Sequence, residues 1–120
     1  MEPEQPDCWN VESISPGMAV VRFDRELILT GHQAEAVGNA VMFLLNEPAG
    51  HQVLLDFGNV RSLTSLMLGK LVLLNREAES NGRRLALFNL RPEIREIMEI
   101  TRLTLLLSIY DDEREALDDG

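Results

Sequence analysis

A chain of 120 residues has room for one hydrophobic core and no second domain. With 45% hydrophobic and 26% charged residues it falls in the ordinary globular range, far from the composition of a disordered chain. The formal charge of −9 excludes the basic footprint that phosphate-backbone binding requires, so no direct nucleic-acid partner is expected.

The acids gather at the ends, as Glu2, Glu4 and Asp7 and again from Asp111 to Asp119, while the signs nearly balance between Gly50 and Ile100. Such acidic ends read as solvated, and residues 1–8 as a flexible segment ahead of one domain at 9–118. Two strand-like runs, Trp9 to Ile14 and Met18 to Phe23, flank the turn signal Ser15-Pro16-Gly17 and predict a hairpin. Glu26 to Leu29 extends or bulges the second strand. Thr30 and Gln33 match a capping box, and Ala34, Val37, Val41, Leu44 and Leu45 continue at helical spacing until Pro48 and Gly50.

Gln52 to Phe57 is a near-continuous apolar run, the pattern of a strand covered on both faces. A helix is predicted over Ser65 to Ser80, closed by Asn81-Gly82 as a left-handed cap. Its core face is expected at Leu68, Leu71, Val72 and Asn75, which leaves Leu66, Met67, Leu73 and Leu74 as surplus apolar surface for docking. Leu85 to Phe88 is a further strand, Pro92 opens a third helix, Leu105 to Ile109 is the last strand, and Asp111 to Leu117 a terminal helix. The order ββαβαβαβα predicts an α/β domain whose mixed, mostly parallel sheet carries helices packed on it and an antiparallel hairpin at one side.

Several motifs dissolve on inspection. Asp56-Phe57-Gly58 has the letters of a kinase signature without a Gly-rich loop or a catalytic loop, so Asp56 reads as a polar strand end that bonds nearby backbone donors. Gly69-Lys70 lacks the rest of a phosphate-binding loop. Cys8 is the lone cysteine, and neither His32 nor His51 stands in a ligand or nucleophile pattern; no metal, no cofactor and no enzymatic activity are expected. Glu93, Glu96 and Glu99 beside Arg91, Arg95 and Arg102 dress a solvated helix face. The start has no basic-then-apolar leader and no stretch approaches about 18 apolar residues, so a cytoplasmic protein without membrane insertion is expected.

The stretch Val53 to Leu71, a buried strand ending in Asp56, a loop, then Thr64-Ser65-Leu66-Met67-Leu68-Gly69 at a helix start, resembles the core of STAS domains, the fold of anti-sigma factor antagonists. Asn81-Gly82-Arg83-Arg84-Leu85, Arg91-Pro92-Glu93-Ile94 through Thr101, and Ile109 through Leu117 are similar to that family's later strand entry, Pro-led helix and closing helix. The resemblance places Ser65 on the family's phosphoacceptor serine, flanked by Asp56, Thr64, Leu66 and Met67, with Leu66, Met67, Lys70, Leu73 and Leu74 at the partner surface. Thr64 stands where the family has Asp, Leu66-Met67 where it has Ser-Gly, and Arg25-Glu26-Leu27-Ile28 where many members have Gly-Glu-Leu-Asp. The resemblance implies regulation of transcription by partner switching, with an anti-sigma factor of serine-kinase activity and a serine phosphatase as partners. The alternative is a STAS scaffold or sensor, never phosphorylated, in a signalling or transport complex. From the residues alone, Ser65 also reads as a plain N-cap.

Overall fold

The computed structural model describes residues 9–23, 27–29, 31–47 and 52–118. Cys8, Arg25, Glu26, His51, the expected flexible segment 1–8 and the expected capping box at Thr30 lie outside them. Strands β1 (Trp9–Ser15) and β2 (Met18–Phe23) form the hairpin, turned at Gly17 with φ 82, a left-handed value that glycine adopts without a Cβ clash. Next come β3 (Leu27–Leu29), α1 (Gly31–Asn46), β4 (Gln52–Asp56), β5 (Val60–Leu63) and α2 (Ser65–Ser80). Then follow β6 (Leu85–Phe88), α3 (Pro92–Ile100), a 3₁₀ turn (Leu103–Leu105), β7 (Ser108–Tyr110) and α4 (Glu113–Asp118).

The main sheet has the order β1-β2-β4-β6-β7 and is parallel except at the hairpin, as the alternation of strands and helices predicts. In β4, Val53 and Leu55 join the large core under α1, α2 and α3, whereas Leu54 joins Val20, Ala86, Phe88 and Ala116 in a smaller core under α4. That two-sided burial is why β4 reads as an unbroken apolar run. Gly82 ends α2 at φ 68, with Arg83 N–H donating to Ala78 O at 2.7 Å and Gly82 N–H to Glu79 O at 3.0 Å, the paired bonds of a Schellman cap.

Three expectations are corrected, for β5, β7 and α4. The segment after Asp56 is not all loop: β5 pairs in parallel with β3 as a separate two-stranded sheet, burying Val60 and Leu63 and exposing Arg61 and Ser62. A four-residue strand with two apolar residues three apart carries no alternation to announce it. The last strand is displaced from Leu105–Ile109 to Ser108–Tyr110, because Arg102, left-handed at φ 63, turns the chain out of α3 into the 3₁₀ turn. Leu103 and Leu107 then point into the core, and Leu105 and Leu106 into solvent.

α4 starts two residues later than expected because Asp112 is its cap: Glu115 N–H donates to Asp112 Oδ1 at 2.9 Å, and Glu115 Oε1 accepts from Asp111 N–H at 3.0 Å. Arg22 of β2 and Arg84, the residue before β6, hold this short helix. Arg22 donates to both oxygens of Glu113 at 3.0 and 2.8 Å, and Arg84 Nη2 donates to Ala116 O at 2.9 Å. An acid in the first turn and a cation at the last carbonyls both complement the helix dipole.

A non-glycine residue in the left-handed region is strained by about 1–2 kcal/mol. Arg102→Gly is therefore expected to raise unfolding stability by about 0.5–1 kcal/mol, after the entropy cost of glycine, read as a shifted denaturant midpoint at constant slope. No gain would mean that contacts of the Arg102 side chain offset the strain.

Candidate functional site

The site is built at the end of β4, where the sheet edge hands the chain to α2. Asp56 ends the strand and its carboxylate accepts from three segments: Gly58 N–H at 2.9 Å, Asn89 Nδ2 at 3.3 Å and Arg22 Nη1 at 3.3 Å. This is the expected role for a polar strand end, with partners from β2 and from the residue after β6 that the local sequence does not announce. Asn89 is itself left-handed at φ 62, a conformation that Asn tolerates better than most residues. Asn59 Nδ2 donates to Phe23 O at 2.6 Å, and Arg91 Nε donates to Gly58 O at 3.0 Å. The loop is thus tied on both flanks, and Phe57 anchors it from below, fully buried and edge-on to Phe23 at 6.2 Å.

Arg22 gathers Glu12, Asp56 and Glu113 around one guanidinium. The hydrogen bonds it donates to Glu113, with those to Glu12 and the charges of both, raise its pKa still further above the ordinary value against the lowering effect of burial. It stays a fixed cation at any working pH. Among the described residues no group of His, Cys, Asp or Glu is placed to hold a metal ion, and no helix is long and apolar enough to cross a membrane.

β5 then delivers Thr64, whose backbone is extended (φ −87, ψ 165) and whose Oγ1 accepts from Met67 N–H at 3.3 Å. Thr64, not Ser65, caps α2. Ser65 is the first helical residue, exposed, with its hydroxyl not used in that cap. The hydroxyl therefore stands at the positive end of a four-turn helix.

The structure divides the predicted docking residues. Leu66 (55% exposed) and Leu73 (60%) face solvent, and Lys70 lies between them, its stem over Gly38 and its Nζ 2.9 Å from Glu35 Oε1. Met67 and Leu74, expected at the partner surface, are buried instead (0% and 2%) with Leu71 and Ala78. The helix is rotated by about one residue from the sequence reading. The deciding signal is at its far end: a stripe begun at Met67 runs through Leu71 and Leu74 to Ala78, whereas one begun at Leu68 runs into Asn75 and Glu79. Asn75 is nonetheless buried, and its Nδ2 donates to Leu106 O at 3.0 Å.

Loss of an N-cap side chain costs about 1 kcal/mol. Thr64→Ala should destabilise the domain by that amount, while Ser65→Ala should fall within about 0.5 kcal/mol of the parent as an exposed change. Equilibrium urea unfolding of both variants checks the assignment; the reverse order would return the cap to Ser65.

Comparison with known proteins agrees with this fold. A putative anti-sigma factor antagonist from Thermotoga maritima superposes with a TM-score of 0.81 at 22% identity, over 92% of each chain. The anti-sigma factor antagonist SpoIIAA in its unphosphorylated form gives 0.72 at 19% identity, over 92% of this chain and 94% of that one. The phosphorylated form of SpoIIAA from Bacillus gives 0.71 at 21%, over 92% and 97%. No curated protein sequence matches. At these identities the superpositions establish a shared fold, and the sequence profile of the STAS domain matches residues 11–116. The chain belongs to the STAS domain family.

Proposed function

We propose that this chain is a cytoplasmic, non-enzymatic regulator of the anti-sigma factor antagonist kind, which captures a partner through the exposed side of α2 and is switched by phosphate on Ser65. The observation that carries the reading is the division of labour at the helix head. Thr64 satisfies the N-cap, so the exposed Ser65 hydroxyl is left for chemistry. A phosphate there adds about −1.5 to −2 charge beside the first-turn N–H groups and the positive end of the dipole, where an anion is tolerated by the free domain.

The same phosphate obstructs docking. Leu66 follows Ser65 directly, and Leu73 lies two turns on, so a partner that covers them has to desolvate the phosphate, at an effective cost of several kcal/mol. Each 1.4 kcal/mol is tenfold in affinity, so this is enough to end capture. Support also comes from SpoIIAA, a similar fold known in both unphosphorylated and phosphorylated forms. In this reading an anti-sigma factor with serine-kinase activity is both the captured partner and the source of the phosphate, and a serine phosphatase resets the protein. Partner contact falls on Leu66, Lys70 and Leu73; Met67 and Leu74 support them from within.

Incubated with ATP and that kinase, the protein is expected to gain one phosphate on Ser65, and Ser65→Ala none, by mass spectrometry. Ser65→Asp should bind the partner at least tenfold more weakly by calorimetry. A tight complex indifferent to Ser65→Asp, with no phosphate gained, would overturn the switch and leave an unphosphorylated STAS scaffold.

A further inference from the structure

We infer that α2 recognises an apolar helix of its partner by two contacts: a hole over Gly69 that takes one large apolar side chain, and Arg76, which takes a carboxylate one or two turns along the same partner helix. This deepens the proposed capture through α2 and rests on it. From Ser65 to Arg76 the exposed residues of α2 are Ser65, Leu66, Gly69, Leu73 and Arg76, with Lys70 half-buried beside them. Leu66, Gly69, Lys70 and Leu73 stand at i, i+3, i+4 and i+7, neighbours on one face of the helix and the four positions that make a hole when helices pack knobs into holes.

The two leucines close the ends of this hole, about 10 Å apart along the axis. Its floor is Gly69, where a built Cβ meets nothing within 4 Å. One wall is the stem of Lys70, which lies over Gly38 while its Nζ is drawn to Glu35 Oε1 at 2.9 Å, so aliphatic carbon and not the ammonium borders the hole. Gly69 has no left-handed backbone to require glycine, and mid-helix glycine is worse than alanine for the isolated fold. What glycine supplies here is depth for an entering side chain.

Charge selects the rest of the occupant. Arg76 is exposed on the same stripe and, among the described residues, has no ion-pair partner. Its Cα–Cβ bond tilts toward the helix N-terminus, and so toward Leu73 and the hole. The acids of α2 fall on its flanks at Glu77 and Glu79, and Glu77 Oε2 already accepts from Asn81 Nδ2 at 3.4 Å. With Lys70 paired to Glu35, Arg76 is the cation left for a partner's carboxylate. Ser65 stands four residues before Gly69, at the rim of the hole, and about 16 Å along the axis from Arg76. A phosphate on Ser65 would therefore obstruct the entering side chain without being neutralised by Arg76.

Calorimetry of the full chain with the purified anti-sigma factor kinase of its own cell, at about 0.15 M salt, reads both contacts. Gly69→Ala should raise the Kd at least tenfold and at the same time raise the urea midpoint of the free protein, a pairing that misfolding does not produce. Arg76→Glu should raise the Kd at least tenfold with circular dichroism unchanged, and one Asp→Lys or Glu→Lys change in the kinase should restore binding to that variant while weakening binding to the parent. Val11→Asp, on the edge strand β1, should leave the Kd alone. Capture unchanged by Gly69→Ala, or a loss at Arg76→Glu that no acid of the kinase reverses, would overturn the inference and leave the proposed function standing. Capture lost on both changes but indifferent to Ser65→Asp would keep these contacts and remove the switch. No capture by the parent protein would remove both readings, and self-association of the protein alone that Gly69→Leu abolishes would make a second copy the occupant and overturn the inference.

Discussion

Parallel strands cannot be joined by a tight turn, so β4 lies between β2 and β6 only because a helix carries the chain back on each side of it. Much else depends on how β4 ends. Asp56 is the last residue with ladder partners, and its carboxylate closes the turn through Gly58, reaches β2 through Arg22 and meets Asn89 beyond β6. With those bonds the exit direction is set, β5 runs beside β3, and Thr64 arrives extended, in position to cap α2. Ser65 is thus placed by a carboxylate nine positions earlier, through backbone geometry and without direct contact.

The two faces of the sheet are covered by unequal means. Three helices bury the first mainly by apolar packing, with Val37, Val41, Leu71, Leu74, Ile94 and Met98 all closed to solvent. The second is covered by six residues of α4, whose buried apolar contribution is Ala116 with part of Leu117. A helix of that length has no independent stability. What holds it is the pair Arg22 and Arg84, one on a first-turn acid and one on a terminal carbonyl, with Arg84 also donating to Tyr110 Oη at 3.2 Å and to Gln52 Oε1 at 3.2 Å. The C-terminal acids that read as solvated tail are in part working: Glu113 and Asp112 dock and cap, and Asp111 pairs with Arg95 at 3.0 Å.

What the sequence made legible follows the same physics. The hairpin, the buried strand, the Pro-led helix and the Schellman cap each depend on residues adjacent in the chain, and each stands where those residues put it. β5 and the displaced β7 depend on distant pairings: Val60 and Leu63 announce a strand only once β3 is beside them, and Leu105 and Leu106 look like strand until Arg102 turns left-handed. At the site, the resemblance that points to Ser65 rests on its neighbours in the chain, and Asn59 belongs to the same loop, whereas Arg22 and Asn89 come from other elements with no local sign. The rotation of α2 lay between these cases. Its period was plain, but its phase was fixed by Ala78 at the end of the stripe, not by the leucines at its start.

That phase decides what a charge at Ser65 can act upon. Hydrophobic stabilisation of a fold comes from area removed from water. Met67 and Leu74, already closed off in the isolated domain, therefore contribute to folding and leave association little to gain. Leu66 and Leu73 are the reverse: more than half exposed, they contribute little to the isolated domain and can be desolvated only by another molecule. Ser65, exposed at the head of that outer stripe, borders the second set. Phosphate there would meet solvent and the amide end of a helix in the free domain, and apolar surface only in a complex, so its penalty would fall on association while the core beneath stays intact.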